Sequence, residues 1–239
     1  MRNFLRRKFV LYIISLFLIS FLFVNENYCA SNSSGPHTDI IEYDDFTPEE
    51  LFRYGNQYLD LEEYDKARIY WEKASERGHV GATANLGSLY LNGYGVRKDF
   101  NKARQYLDQA AAQGSADAIG NIGTMYIQGI GVPVDYDLGR QYIENAVTMG
   151  SIFSLTNLGY IYSHGLGVKQ NYDIARQFYE KAIDKGEPNA MYNLAIMYYY
   201  GNGVNQDYEM AKQYAERALD KGLKKSKDLL RQIKRQLED

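Results

Sequence analysis

Cysteine is almost absent from this sequence of 239 residues, because Cys29 is the only one. It lies just before a predicted cleavage point after Ala30, so the mature chain would carry no thiol. Disulfide scaffolds, cysteine-based metal sites and thiol catalysis are therefore excluded for the mature chain. Proline is also scarce, with 4 residues. Because proline removes a backbone donor and clashes with the preceding helical turn, its scarcity favours a helical fold.

Positive charge is scarce outside the extreme N-terminus. The chain has 27 Lys and Arg residues against 30 Asp and Glu residues, a formal net charge of −3. The first 30 residues hold four of the basic residues and one acidic residue, so the remainder has a net charge of −6. Non-specific nucleic-acid binding needs Lys and Arg to displace phosphate counterions. We therefore expect no nucleic-acid partner.

The first 30 residues have the pattern of an export signal. A basic start precedes the apolar run 9–24, in which only Ser15 and Ser20 are polar. We predict cleavage after Ala30 and a periplasmic or secreted protein without further membrane contact; the alternative is an uncleaved segment that anchors the chain. Residues 31–46, with Ser, Gly, Pro and acidic residues, are predicted to form a flexible linker.

Catalytic and metal-binding motifs are missing from the sequence. His37, His79 and His164 lie far apart and lack metal-ligand spacing, and the common serine and zinc hydrolase signatures do not occur. The Gly-x-Gly pairs lack the third glycine of a dinucleotide loop and follow predicted helices instead of strands. We therefore expect neither an enzyme nor a bound cofactor or metal.

A unit of 36 residues is repeated four times. Its first half is recognisable as NLGSLYLNGYGV, NIGTMYIQGIGV, NLGYIYSHGLGV and NLAIMYYYGNGV, which begin at Asn85, Asn121, Asn157 and Asn193. Apolar residues at helical spacing in both halves predict two helices per unit. The Gly-x-Gly between them never varies among the four units, which indicates a positive φ.

A second class of glycine tolerates replacement between units. Gly87, Gly123 and Gly159 are matched by Ala195 in the last unit, which indicates close helix–helix approach. We therefore expect Gly159→Ala to be mild and Gly167→Ala, in a Gly-x-Gly pair, to be more damaging.

These motifs resemble the Sel1-like repeat family, whose helical hairpins are related to the tetratricopeptide repeat. The resemblance covers four repeats, 79–114, 115–150, 151–186 and 187–222. Residues 47–78 resemble a shorter tetratricopeptide unit, and 223–239 are predicted to form an amphipathic capping helix. The resemblance implies an all-α fold, a right-handed α/α superhelical solenoid, and polar caps suit the ends of such arrays.

The resemblance also implies a function, the binding of a protein or extended peptide in a concave groove formed by the first helices. Aligning the Leu-Gly-x-x-Tyr motif with tetratricopeptide repeats transfers their groove positions to this sequence. The predicted groove residues are then Asn85, Asn121, Phe153, Asn157, Tyr160, Asn189, Tyr192, Asn193, Ile196, Tyr199 and Tyr200. Two interpretations of the asparagine column are open: it holds a bound peptide backbone, or it holds the repeat geometry. Because all four repeats share one framework, packing alone gives no reason for the aromatic residues in the last two, and we predict that they form the main partner site.

Several alternatives are open. Bacterial members of the family are typically envelope, motility or host-interaction factors, so an envelope assembly factor such as a flagellar stator accessory is one. Another is an enzyme or enzyme inhibitor that acts on peptidoglycan or its precursors. Activity on β-lactams is disfavoured because the members described with it carry a disulfide in each repeat. A eukaryotic luminal adaptor is a third, and glycosylation at Asn32 would identify it. We expect a monomer.

Overall fold

The computed structural model describes residues 43–238, which form eleven α-helices after one 3₁₀ turn, Tyr43–Asp45. No strand occurs in this range. The predicted signal, residues 1–30, and residues 31–42 of the predicted linker lie outside the described residues. The helices are α1 (Pro48–Asp60), α2 (Tyr64–Glu76), α3 (Val80–Asn92), α4 (Phe100–Ala112), α5 (Ala116–Gln128), α6 (Tyr136–Thr148), α7 (Ile152–His164), α8 (Tyr172–Ile183), α9 (Pro188–Tyr200), α10 (Tyr208–Asp220) and α11 (Ser226–Glu238).

Consecutive helices pack as hairpins, α1 with α2 through α9 with α10, and each hairpin packs on the next. The helix α11 packs on α10 and ends the described array. Residues of each repeat therefore contact mainly the neighbouring repeats, as in a solenoid. The predicted all-α fold of hairpin repeats is confirmed.

The second helices of the four 36-residue repeats begin at a repeated side-chain cap. The side chains of Asp99, Asp135, Asn171 and Asp207 each accept a hydrogen bond from a backbone N–H three residues later, at 2.8–3.0 Å. Such caps satisfy N–H groups that have no partner within the helix. The first helices of the four repeats end instead at a glycine with φ between 66° and 76°, as the Gly-x-Gly pattern predicted.

The second glycine of each pair, such as Gly131, also joins two repeats. Its φ is 69°, and a Cβ added there would lie 2.6 Å from Cβ of Phe100, the first residue of α4 in the preceding repeat. Gly167 has the same relationship to Tyr136. These glycines are therefore required both by the left-handed backbone and by the close approach of the preceding hairpin.

The packing around Gly159 contradicts the expectation that Gly159→Ala has only a mild effect on stability. A Cβ at residue 159 would lie only 2.4 Å from Cε1 of the Tyr179 ring, which is fully buried. Ala195 is accommodated in the fourth repeat because the residue that corresponds to Tyr179 there is Ala215. The expectation was wrong because it compared one column of the repeat without the side chain that faces it.

The two ends of the described array are both packed. At the N-terminal end the Tyr43 ring lies edge-on to Tyr70, and Arg77 donates to the Phe46 carbonyl oxygen at 2.6 Å. Residues 43–46, assigned to the flexible linker from the sequence, thus lie against the first hairpin. At the C-terminal end Leu229 and Ile233 of α11 are buried against the last hairpin, as expected for a capping helix.

Candidate partner-binding groove

The first helices form the inner wall of the array. Neighbouring first helices of the four repeats, α3, α5, α7 and α9, contact one another directly, and they do so more closely than neighbouring second helices. Helices that approach more closely along one side make an array curve towards that side. We call the surface of α3, α5, α7 and α9 on that inner side the groove; it carries most of the predicted site residues.

The asparagine column links the first helices by hydrogen bonds. Asn121 Nδ2 donates to Ser88 Oγ at 3.1 Å, and Asn157 Nδ2 donates to Thr124 Oγ1 at 3.0 Å. In the first repeat Asn85 Nδ2 donates in the same way to Asn56 Oδ1 at 3.2 Å. These bonds support the interpretation that the column holds the repeat geometry. Each half-buried amide still has a second N–H and a carbonyl oxygen, so a bound backbone can also use it.

Asn193 does not continue this series of hydrogen bonds, because Tyr160 occupies the position that Ser88 and Thr124 have in the earlier repeats. Asn193 instead lies by the hydroxyl of the buried Tyr179, which also lies 3.3 Å from Ser163 Oγ. Burial raises the pKa of Tyr179 to about 12. Asn193, the last asparagine of the column, therefore contacts the buried Tyr179 of the preceding repeat instead of a hydroxyl group on a first helix.

Three of the predicted groove residues pack against a core cluster that the last hairpin and the capping helix α11 form together. Tyr192, Ile196 and Tyr199 are half-buried and lie against the cluster that contains Leu229 and Ile233. Burial and the nearby carboxylate of Asp228 raise the pKa of Tyr192. The structure thus brings these residues together, but largely as part of the packing between the last hairpin and α11.

Tyr199 also compensates for a small residue in the core. The equivalent pairs in successive repeats are Leu91 with Leu107, Ile127 with Ile143, Ser163 with Tyr179, and Tyr199 with Ala215. In the last two pairs a large side chain on one helix accompanies a small one on the other. Packing therefore does give a reason for Tyr199, and the premise that it gives none was wrong for this residue and for Tyr192.

Two predicted aromatic residues are well exposed in the groove. Tyr160 is 40% exposed and its ring centroid lies 4.0 Å from that of His164, while Tyr200 is 62% exposed and lies edge-on to Tyr199. Asn157 is half-buried one helical turn from Tyr160. Among the predicted residues, Tyr160 and Tyr200 therefore offer the most accessible aromatic surface.

The remaining two predicted residues lie at the other edge of the groove. Phe153 is half-buried near the start of α7. Asn189 is half-buried as well, and its Nδ2 donates to Glu187 Oε1 at 2.9 Å, so it supports the start of α9. Lys225 occupies the equivalent position after the last repeat, because it lies 36 residues after Asn189 and directly before α11. Sequence reasoning missed Lys225 because the cap was not aligned with the repeats, although the spacing alone would have found it.

Residues 43–238 lack two features that are common in other functional classes. Within this range no three His, Asp or Glu side chains come together in a way that could hold a metal ion. The helices of the same range are all too short or too polar to cross a bilayer.

The comparison with family models gives one match, the model described as Sel1 repeat. It matches five consecutive segments, 51–79, 80–115, 116–151, 152–187 and 188–223. The first of these is the hairpin that the sequence analysis compared with a shorter tetratricopeptide unit. The other four follow the predicted repeats with a shift of one residue. A search of curated proteins finds no match.

Solved structures of bacterial repeat proteins are similar to this chain. A protective antigen present in uropathogenic Escherichia coli, with an SLR fold, is 33% identical with a TM-score of 0.51; the match covers 77% of this chain but only 40% of the antigen. A Sel1 repeat protein from Oxalobacter formigenes is 27% identical with a TM-score of 0.58, over 77% of this chain and 75% of that one. A protein from Klebsiella pneumoniae described as a Sel1 repeat protein shares the fold, with 17% identity, a TM-score of 0.59 and coverage of 82% and 97%.

Proposed function

Because the chain belongs to the Sel1 repeat family, we propose that it is an exported scaffold that binds a protein or an extended peptide in its groove. The fold itself is a row of hairpins whose first helices form one continuous surface. A surface of this kind suits an extended partner, since it offers equivalent contacts at each repeat. The proposal concerns binding and assigns no reaction to the protein.

The exposed aromatic pair Tyr160 and Tyr200 carries this proposal. Tyrosine brings a large contact area with few rotatable bonds, and tyrosines are enriched among the residues that dominate binding energy. Both belong to first helices, α7 and α9, and more than a third of the surface of each is exposed. Asn157 lies one helical turn before Tyr160 and has donor and acceptor capacity left for a peptide backbone.

The proposed export rests on the N-terminal sequence pattern, a basic start followed by the apolar run 9–24. Sequencing of the N-terminus of the protein from its native source tests it. A mature chain that begins at Ser31 supports cleavage after Ala30, and a chain that retains the apolar run supports the membrane-anchored alternative.

The groove is tested with a partner captured by the purified protein, identified by mass spectrometry and produced separately. Titration calorimetry then compares the parent with the double variant Tyr160→Ala/Tyr200→Ala. We expect a loss of at least about 2 kcal/mol in binding free energy, as is typical for truncation of dominant contact residues.

The control is Tyr94→Ala, which truncates a tyrosine that is 46% exposed but lies in the turn between α3 and α4. It should bind like the parent. Circular dichroism establishes that all variants are folded. If the double variant is folded and binds as tightly as the parent, the partner site lies elsewhere.

A further inference from the structure

Lys225 extends the row of inner-wall positions to the C-terminal end of the groove. It follows Asp117, Phe153 and Asn189 at intervals of 36 residues. The helix that it precedes, α11, takes the place of a further first helix, with Leu229 and Ile233 buried against the last hairpin. A partner that lies along the groove would therefore meet Lys225 at its C-terminal end, beside Tyr192.

The ammonium group of Lys225 lies over an aromatic ring without a close counter-charge. Its Nζ is 4.4 Å from the ring centroid of Tyr192. Among the described residues no carboxylate forms an ion pair with it within 4.0 Å; Asp228 pairs with Arg231, and Glu187 acts on it only at longer range. Although much of the side chain is exposed, burial of the charged group lowers the pKa of Lys225. A cation that is partly desolvated and has no ion-pair partner binds a carboxylate more favourably than a fully hydrated one does.

The distribution of charge along the array also favours an acidic partner segment. Residues 43–65 hold eight acidic residues and one basic residue, whereas 221–238 hold seven basic residues and two acidic ones. The stretch between them is nearly balanced, with 15 basic and 16 acidic residues. An acidic segment is thus attracted to the basic residues of 221–238 and repelled by the acidic residues of 43–65.

We propose that the partner segment at the C-terminal end of the groove is an acidic peptide, with a carboxylate at the ammonium group of Lys225 beside Tyr192 and the rest of the segment extending along the first helices towards Tyr200 and Tyr160. This inference rests on the proposed function and names the chemistry of the partner. The carboxylate supplies the counter-charge that the described residues do not give Lys225. The ring of Tyr192 holds the lysine stem in place for that contact.

The experiment measures fluorescence anisotropy of a labelled oligoglutamate of about ten residues added to the full chain. Oligoglutamine and oligolysine of the same length and phosphatidylserine vesicles are the comparison ligands. We expect binding of oligoglutamate alone at low salt, and weaker binding as salt is raised. Lys225→Met keeps the stem over the ring and removes the charge; it should weaken binding at least about tenfold, and Lys225→Arg should restore most of it.

The matched control is Lys181→Met, because Lys181 also lies over an aromatic ring, that of Phe178 at 5.6 Å, but belongs to a second helix. It should leave binding unchanged. Equal binding by Lys225→Met and the parent, equal loss in both methionine variants, or equal binding of oligoglutamine overturns the proposal. Binding to vesicles without binding to oligoglutamate also overturns it and assigns the basic end to lipid. None of these outcomes concerns the captured partner, so the proposed function is tested separately.

Discussion

Gly159 and Tyr179 are mutually dependent: the ring of Tyr179 occupies the space that a Cβ on residue 159 would need. The same relationship holds between Gly87 and Leu107, where an added Cβ would lie 2.7 Å from the leucine side chain. Only in the last repeat is the glycine replaced, by Ala195, and there the facing residue is Ala215. The identity of one residue is therefore set by the size of its partner on the other helix.

Gly159→Ala should destabilise the protein by about 1–3 kcal/mol, because the added methyl group forces the buried Tyr179 ring to move. Tyr179→Ala alone leaves a cavity and also destabilises it. The double variant reproduces the alanine pair of the last repeat, so it should be more stable than the sum of the single losses predicts. Urea unfolding measures the three variants, and strict additivity would contradict the dependence.

Gly167→Ala should cost more than Gly150→Ala. Both glycines have a positive φ, 66° and 95°, so both variants incur the left-handed penalty of about 1–2 kcal/mol. Only Gly167 also faces a neighbour, Cβ of Tyr136, whereas nothing lies within 4 Å of a Cβ at residue 150. Thermal melts compare the two; equal losses would show that the contact with the preceding repeat is unimportant.

Thr124→Val should reduce stability by about 0.5–1.5 kcal/mol. The substitution keeps the shape of the side chain but removes the oxygen that accepts from Asn157 Nδ2 at 3.0 Å and donates to the Gly120 carbonyl at 3.0 Å. Thr148→Val is the control, because its hydroxyl bonds only within its own helix end. If the two variants melt alike, the column contributes nothing between repeats.

The protein should lose stability as pH rises from about 10 to 12. Burial raises the pKa of Tyr179 from 10.0 to about 12, so the folded chain keeps a proton that the unfolded chain releases first. The stabilisation is complete below pH 10 and is lost through this window, by roughly 2–3 kcal/mol at most. Tyr70, whose pKa burial also raises to about 12, acts in the same direction.

Tyr179→Phe isolates the contribution of the first tyrosine. Circular dichroism against pH should show a smaller alkaline loss of stability in this variant than in the parent. An identical alkaline transition in both would mean that Tyr179 ionises freely in the folded state.

Lys224→Glu should widen the array without lowering its melting temperature. Lys224 pairs with Glu62, which lies 162 residues away in the turn of the first hairpin, so the pair joins the two ends of the array. Both side chains are exposed, and such pairs contribute little to stability and are screened by salt. Small-angle X-ray scattering should show a larger radius of gyration, and Glu62→Lys/Lys224→Glu should reverse it. A radius unchanged in every variant and at every salt concentration would contradict this link.

The periodicity of the sequence by itself determined the helices, their order and their turns. A spacing of 36 residues and apolar positions at helical intervals define hairpins through local physical rules. A Gly-x-Gly pair ends a first helix wherever it occurs because only the left-handed backbone fits there, and Gly93 and Gly129 behave alike. Such features depend on residues close in sequence, so no tertiary information is needed to predict them.

Only the tertiary structure decided which residues are available to a partner. The register places Tyr160, Tyr192 and Tyr199 alike on first helices, but the last two pack against the cluster that the last hairpin forms with α11, while Tyr160 stays exposed. It also decided that Gly159 cannot be replaced as Ala195 was, since that depends on Tyr179 across the hairpin. A repeat pattern specifies the face of a helix on which a side chain lies, whereas the neighbour that covers that face comes from a distant part of the chain.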